Sequence, residues 1–124
     1  MSKISKATRL HEANEWVKKG DYERFLTYCT EDTEWVFIGN QVLSGKQAVR
    51  EYMKEVYLEP PVFTVDTTIE EGNFVTVTGE IRLKGKDGNY SHYDYCDVWQ
   101  FENDKMAALK AYVIEKRQGI TPDI

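Results

Sequence analysis

One carboxylic acid among aromatic residues is the part of this sequence that most clearly suggests chemistry. A segment near the C-terminus has the composition of a β-strand, and successive side chains of a strand point to opposite faces. The residues that share one face are Tyr93, Tyr95, Asp97, Trp99 and Phe101. If this face is the helix-covered one, loss of hydration raises the pKa of Asp97. Such a carboxyl group can act as a general acid, a general base or a neutral hydrogen-bond donor to an enolate oxygen.

A structural role for Asp97 is the alternative interpretation. A buried carboxylate can accept hydrogen bonds from a Tyr or Trp side chain and fix the core without any catalysis. His11, on the first predicted helix, is a weaker catalytic candidate because imidazole titrates near neutral pH. His92 alternates with Tyr93 and is expected on the face opposite Asp97. Two isolated histidines do not form a metal-ligand motif, so we expect no metal and no cofactor.

The large aromatic residues have two interpretations as well. They can be ordinary core, but buried Tyr and Trp side chains need partners for their O–H and N–H groups. A pocket for a planar or ring-shaped apolar ligand explains them better, because ligand sites are apolar with a few placed polar groups. The predicted pocket residues are Trp16, Trp35, Phe37, Tyr52, Phe63, Tyr95, Trp99 and Val113.

Helices are predicted in the first half of the chain. Residues 5–19 have helical periodicity, Gly20 is a stop signal, and Asp21 can cap a second, shorter helix. Residues 34–38 are rich in aromatic and β-branched types and predict a strand. A third helix is expected to begin after Ser44 as its cap and to end before two consecutive prolines, Pro60 and Pro61.

The second half of the chain predicts a meander of strands. Four segments have a period of two: residues 62–70, 74–84, 90–101 and 106–117. Turn-forming residues separate them, including an Asp-Gly pair at 87–88. Helices followed by consecutive strands indicate an α+β fold with an antiparallel sheet, and we expect one domain over residues 1–124.

Composition excludes several classes of protein. The net charge is −5, and the basic residues are scattered among acidic ones, so we expect no nucleic-acid partner. No apolar run is long enough to cross a bilayer, and the first residues lack the apolar stretch of a secretory signal, so we expect no membrane partner. Cys29 and Cys96 are far apart and without metal-ligand spacing, which favours reduced thiols. We therefore expect a cytoplasmic location.

Several short motifs in order resemble the nuclear transport factor 2-like superfamily, which includes ketosteroid isomerase and the SnoaL-like polyketide cyclases. The motifs are Lys19-Gly20-Asp21, Glu31-Asp32, Leu43-Ser44-Gly45-Lys46, Gly72-Asn73-Phe74-Val75-Thr76-Val77 and Asp97-Val98-Trp99-Gln100-Phe101 followed by Asn103-Asp104-Lys105-Met106. The resemblance covers nearly the whole chain. It implies a cone-shaped fold in which about three N-terminal helices pack in the concave face of a curved antiparallel sheet.

The resemblance also assigns roles by position. Asp97 falls on the oxyanion-stabilising aspartic acid of ketosteroid isomerase. Phe37 stands where that enzyme has its general base, and its oxyanion tyrosine corresponds to about Ala13. We therefore do not expect steroid isomerisation by that machinery. A scheme with one carboxylate, closer to the SnoaL-like cyclases, is left open, with a nearby Tyr or His steadying the oxygen.

The opposite face of the predicted sheet suggests a partner. This face is too polar for a core and more apolar than a face fully exposed to solvent. Its residues are Thr76, Thr78, Glu80, Arg82, His92, Asp94, Cys96, Val98, Gln100, Lys110, Tyr112 and Ile114. Relatives commonly pair through this surface, so we expect a homodimer; a solvated sheet face is the alternative.

Three functional hypotheses follow. The first is a cofactor-free isomerase, cyclase or dehydratase type of enzyme that uses Asp97 for proton transfer on an apolar, ring-containing substrate. The second is a non-catalytic domain that binds a small apolar metabolite. The third is a dimeric interaction module whose cavity is filled by side chains.

Overall fold

Three helices and seven strands form the part of the chain that the structure describes. The structure is a computed structural model, and it describes residues 4–116. The helices are α1 (Lys6–Lys18), α2 (Tyr22–Leu26) and α3 (Lys46–Val56). The strands are β1 (Cys29–Phe37), β2 (Gln41–Ser44), β3 (Val62–Phe63), β4 (Thr67–Glu71), β5 (Phe74–Lys84), β6 (Tyr90–Glu102) and β7 (Lys105–Glu115). The predicted α+β class, with helices at the N-terminus and a curved antiparallel sheet, is confirmed.

The first helix begins and ends where the sequence predicts, and the second begins where it predicts. The Ser5 hydroxyl accepts a hydrogen bond from the backbone N–H of Thr8 and caps α1. Gly20 follows α1 with φ of +81°, and the Asp21 carboxylate accepts from the N–H of Arg24 at the start of α2. None of the helices within residues 4–116 has the length and apolar character that crossing a bilayer requires.

The predicted cap of α3 is wrong. Ser44 is the last residue of β2, and the residue that precedes α3 is Gly45, which makes no side-chain capping bond. Residues 41–44 pair with β1 as an antiparallel hairpin, which the sequence analysis missed. α3 also ends at Val56, four residues before Pro60, because the chain leaves helical geometry at Tyr57.

The strands form one sheet in the order β2-β1-β7-β6-β5-β3, and β4 also pairs with β5. All neighbours are antiparallel except β1 and β7, which are parallel. That parallel pair joins the N-terminal hairpin, β1 and β2, to the C-terminal meander in one sheet. The long strands β5, β6 and β7 carry the centre of the sheet and, as shown below, the candidate site.

The segment predicted as one strand over residues 62–70 is broken in two. Between β3 and β4 the main chain shifts its register against β5, and Thr64 lies close against Gly79. A Cβ atom on Gly79 would lie 2.0 Å from the carbonyl oxygen of Thr64, so only glycine allows this approach. The Tyr95 hydroxyl donates a hydrogen bond of 2.6 Å to the same oxygen.

The core lies between the helices and the inner face of the sheet. α1 contributes Leu10, Ala13 and Val17, and α3 contributes Val49 and Met53. Each helix thus buries one face and leaves its charged face in solvent. The sheet side of the core includes Trp35, Val75, Val77, Tyr95, Trp99, Phe101, Leu109 and Ala111.

Candidate functional site

Strand register places Asp97 at the centre of the inner face. In the antiparallel ladders Asp97 lies opposite Val77 of β5 and opposite Ala111 of β7, both of which are buried. Its neighbours on the same face of β6 are the buried residues Tyr95 and Trp99. The carboxyl group therefore stands among apolar and aromatic side chains, on the side of the sheet that the helices cover.

Asp97 borders a cavity of about 560 Å³ between the sheet and the helices. This volume lies within the range of small-molecule sites in proteins. Seven of the eight predicted pocket residues line it: Trp35, Phe37, Tyr52, Phe63, Tyr95, Trp99 and Val113. The other lining residues include Tyr57, Tyr93, Asn14, Met53 and several aliphatic side chains.

Aromatic rings in mutual contact form one wall of the cavity. The ring of Trp35 meets that of Trp99 edge to face, with centroids 5.7 Å apart. Phe37 and Tyr52 have centroids 5.0 Å apart, and Tyr52 and Tyr57 are 6.1 Å apart. Contacts of this geometry hold rings rigidly in place. The wall is therefore preformed and suited to a flat apolar ligand.

Burial raises the pKa of Asp97 to about 7. Desolvation is the cause, since the surrounding side chains replace water around the carboxyl group and disfavour its charged form. Within residues 4–116, no positive charge offsets this effect. At neutral pH the group therefore exists in both protonated and ionised forms, which is the condition for donating and accepting a proton.

Tyrosine hydroxyls lie around the carboxyl group and keep their protons. Burial raises the pKa of Tyr52 to about 12, and the charges of Tyr93 and Asp97 add to the shift. The pKa of Tyr57 is raised further, again by burial and then by the charges of Tyr52 and Asp97. These hydroxyls thus remain neutral donors that a substrate oxygen can accept from.

Two predicted site residues lie outside the cavity. Trp16 does not line it: its ring is covered by the side chains of Lys19 and Arg24, 4.8 and 4.5 Å from the ring centroid. His11 does not line it either, and its Nε2 lies 3.4 Å from the Thr68 hydroxyl. Both residues sit beside the buried stripe of α1, and helical periodicity alone does not separate the cavity side of that stripe from its other flank.

Some lining residues are not predicted from the sequence. Tyr57 follows the last residue of α3, so the helical period that places Tyr52 does not place it. Asn14 enters the cavity from α1, one residue after Ala13. The only sequence feature that points to Tyr57 as a lining residue is that tyrosines cluster before Pro60. This feature does not predict the direction in which the Tyr57 side chain points.

The arrangement suits proton transfer. Within residues 4–116, no three His, Cys, Asp or Glu side chains lie close enough together to hold a metal ion. What the cavity offers is one carboxyl group that can take or give a proton, neutral hydroxyl donors and apolar walls.

Comparison with known sequences identifies a family. Residues 9–109 match the model of the SnoaL-like domain family. No curated protein matches the sequence.

Solved structures share the fold. An NTF2-like protein of unknown function from Cytophaga hutchinsonii is 27% identical with a TM-score of 0.68, and the match covers 89% of this chain and 100% of that chain. A putative SnoaL-like polyketide cyclase from Shewanella putrefaciens is 11% identical with a TM-score of 0.78, covering 91% and 92%. The Δ5-3-ketosteroid isomerase from a Mycobacterium species is also 11% identical with a TM-score of 0.78, covering 91% and 100%. The predicted nuclear transport factor 2-like fold is therefore confirmed.

Proposed function

Since this chain belongs to the SnoaL-like domain family, we propose that it is a small-molecule enzyme of the isomerase, cyclase or dehydratase type. It acts without a cofactor, and Asp97 transfers a proton on an apolar, ring-containing substrate. The observation that carries the proposal is the position of Asp97 at an aromatic cavity, with a pKa raised to about 7. Similarity in fold to a cyclase and an isomerase supports this reaction class but does not assign it.

The proposed step is removal of a proton from a carbon next to a carbonyl group. The carbon–hydrogen bond breaks, the proton passes to a carboxylate oxygen of Asp97, and the electron pair forms an enolate. The enolate oxygen accepts a hydrogen bond from a cavity hydroxyl, for which Tyr52 and Tyr57 are the candidates. In a substrate with a carbon–carbon double bond conjugated to the enolate, the proton returns to the far carbon of that double bond. The double bond thereby shifts, which completes an isomerisation and regenerates the carboxylate.

The two-acid scheme of ketosteroid isomerase is not proposed. Phe37 stands where that enzyme is expected to have its general base; it lines the cavity and has no group that accepts a proton. Ala13 stands near the position expected for the oxyanion tyrosine and is fully buried in the core. Asp97 must therefore be the base in this chain, and the hydroxyl donors must come from other elements.

Hydrogen–deuterium exchange tests the proposal without knowledge of the natural substrate. We expect the protein to accelerate exchange of the acidic ring protons of 2-tetralone in D2O, followed by NMR. The rate should rise with pH through about 7, because the ionised form of Asp97 is the base. Asp97→Asn should reduce the accelerated rate at least 100-fold, in line with the loss of a general base.

A matched variant controls for general effects of charge. Asp32 is exposed on β1 and is not part of the cavity, so Asp32→Asn should exchange at the wild-type rate. Equal exchange by wild type and Asp97→Asn would refute the assignment of Asp97.

A non-catalytic binding domain is the second candidate function. It is favoured by the composition of the cavity, where Asp97 is the one carboxylic acid among the described lining residues. Ligand binding that survives Asp97→Asn, with no exchange by the wild type, would support this function over catalysis. The void lined by Tyr95, Asp97 and Trp99 counts against the third hypothesis, a module whose interior is filled by side chains.

We also propose a homodimer that forms through the outer face of the sheet. Strand register places on this face several large apolar residues that are exposed in the monomer: Val42, Val62, Ile69, Phe74, Tyr112 and Ile114. Polar and charged side chains such as Thr76, Thr78, Asp94 and Lys110 lie between them. A self-complementary surface of mixed character is typical of a two-fold interface.

A cytoplasmic location is proposed from the cysteines. Cys29 and Cys96 are both free thiols. Cys29 is buried in the core, where desolvation raises the pKa of its thiol to about 12, and Cys96 lies on the outer face of the sheet. Unpaired thiols are typical of reducing compartments.

A further inference from the structure

The charge of the cavity is one-sided. Among the described residues that line it, Asp97 is the only carboxylic acid, and none is Lys, Arg or His. An ionised carboxylate removed from water is costly unless a cation pairs with it. The described lining residues supply no cation. An ionised Asp97 can therefore form an ion pair in the cavity only with a positively charged ligand.

The aromatic walls around Asp97 also favour a positively charged ligand. The rings of Trp35, Phe37, Tyr52 and Trp99 line the cavity and contact one another at centroid distances of 5.0 to 6.5 Å. The face of an aromatic ring carries a partial negative charge, and rings grouped around a site attract organic cations. Carboxylate and rings together thus favour positive charge and disfavour negative charge.

We propose that the cavity binds an organic ammonium ion, a protonated or quaternary amine that carries an apolar ring. The ammonium group lies against Asp97 and the ring faces, and the apolar ring packs against aliphatic lining residues such as Val77, Leu109 and Val113. The volume of about 560 Å³ accommodates a one- or two-ring amine. This inference concerns binding and does not require the proton transfer proposed above.

Binding of a cation is linked to ionisation of Asp97. The titratable groups that face it are Tyr93 and Tyr95 of β6, Tyr52 of α3 and Tyr57 after α3, and none of these is a cation. Further out, a second cavity of about 430 Å³ shares Tyr52 and Tyr93 with the first. The charged side chains that line this outer cavity are Glu55, Lys84 and Lys86.

Affinity for a permanent cation should therefore increase as Asp97 loses its proton. Burial raises the pKa of Asp97 to about 7, so the ionised fraction grows about tenfold between pH 6 and pH 8. A neutral ligand of the same shape gains nothing from this ionisation. The difference between the two ligands isolates the charge from the apolar contacts.

The test compares benzyltrimethylammonium with neopentylbenzene, its neutral isostere, by quenching of tryptophan fluorescence. For the wild type we expect the cation to bind about tenfold more tightly at pH 8 than at pH 6, and the neutral compound to bind no more tightly at pH 8. Asp97→Asn should remove the pH dependence and the preference for the cation. Asp32→Asn, at an exposed carboxylate outside the cavity, should behave as the wild type.

The wild-type pH dependence alone decides the proposal if the Asp97 variant fails to fold. Equal affinity for the two ligands, tighter binding of phenylacetate, or no binding of benzyltrimethylammonium at either pH would overturn it. The exchange assay separates this inference from the proposed function. Cation binding without exchange of 2-tetralone contradicts the enzyme and supports the ammonium site, and exchange without cation binding does the reverse.

Discussion

At the scale of single residues, the proposed chemistry depends on one carboxylic acid, Asp97. Asp97 is surrounded by Tyr95, Trp99, Val77 and Ala111, and this environment disfavours its charged form. The same desolvation that makes the group useful as a base near neutral pH also costs stability once it ionises. The proposed function and the stability of the fold are therefore both expected to depend on the protonation of Asp97.

This dependence predicts how stability varies with pH. The pKa of Asp97 is about 7 in the folded chain and near 3.9 when unfolded, so the folded state holds the extra proton between these values. Its contribution to stability is therefore complete below about pH 4 and is lost as pH rises to 7. Asp97→Asn should be more stable than the wild type at pH 8, by on the order of 2–4 kcal/mol, because one pKa unit corresponds to about 1.4 kcal/mol.

Urea denaturation at pH 5 and pH 8 measures this difference. The advantage of the Asn variant should shrink as the pH falls. A wild type that gains stability relative to Asp97→Asn between pH 5 and pH 8 would show that the folded protein favours the ionised form.

The direction of a side chain could be predicted where the regular period of a strand or helix determines it. The alternation of a strand places Asp97, Tyr95 and Trp99 on one face, and the structure shows them there. Trp16 and Tyr57 could not be placed in this way. Trp16 lies at the edge of a helical stripe, where Lys19, just after its own helix, and Arg24 of the next helix cover its ring. Tyr57 lies just beyond a helix, where no period applies.

At the scale of elements, the break between β3 and β4 shapes the site. Gly79 lets the carbonyl of Thr64 approach β5, and the Tyr95 hydroxyl holds that carbonyl from the neighbouring strand. The segment that leads from β3, where Phe63 lines the cavity, is thereby held against the inner face of the sheet. A continuous strand over residues 62–70 would not make this contact.

Replacement of Gly79 should destabilise the fold, because the Thr64 carbonyl lies close against this residue. Gly79→Ala places a Cβ atom 2.0 Å from a backbone oxygen, which cannot move without breaking the local pairing. We expect a loss of about 3 kcal/mol in the free energy of unfolding, measured by urea denaturation. Tyr95→Phe removes only the hydrogen bond to Thr64 and should cost about 1–2 kcal/mol. An alanine variant as stable as the wild type would contradict the described register.

Elements with strong local signals were predicted well, and short or irregular ones were not. The caps at Ser5 and Asp21 are local side-chain bonds, so sequence alone locates them. β2 has four residues, none of them fully buried, and it exists only because β1 lies beside it. The break after Phe63 depends on Gly79, sixteen residues further along the chain. Contacts over that separation are not encoded in a local pattern.

At the scale of the whole molecule, the two faces of the sheet differ in their surroundings. The inner face carries the cavity, and the outer face carries exposed apolar residues, among them Tyr112 and Ile114, which are 43% and 69% exposed. Such a surface on a monomer is a typical site of association.

The proposed dimer can be tested by sedimentation. We expect the wild type to sediment as a particle of twice the monomer mass, and the double variant Tyr112→Glu/Ile114→Glu to sediment as a monomer, because charges facing their own copies repel across a two-fold axis. Ile4→Glu, at an exposed apolar residue outside the sheet, should leave the dimer intact. A monomeric wild type would rule out the proposed interface.

Both the proposed reaction and the proposed ligand require that Asp97 change its protonation near neutral pH. The direct measurement is a titration of the 13C-labelled side-chain carboxyl carbon of Asp97 by NMR, assigned by its absence in Asp97→Asn. We expect a midpoint near pH 7, as the burial of the group dictates. A midpoint near pH 4, the ordinary value for an aspartic acid in water, would contradict the central claim.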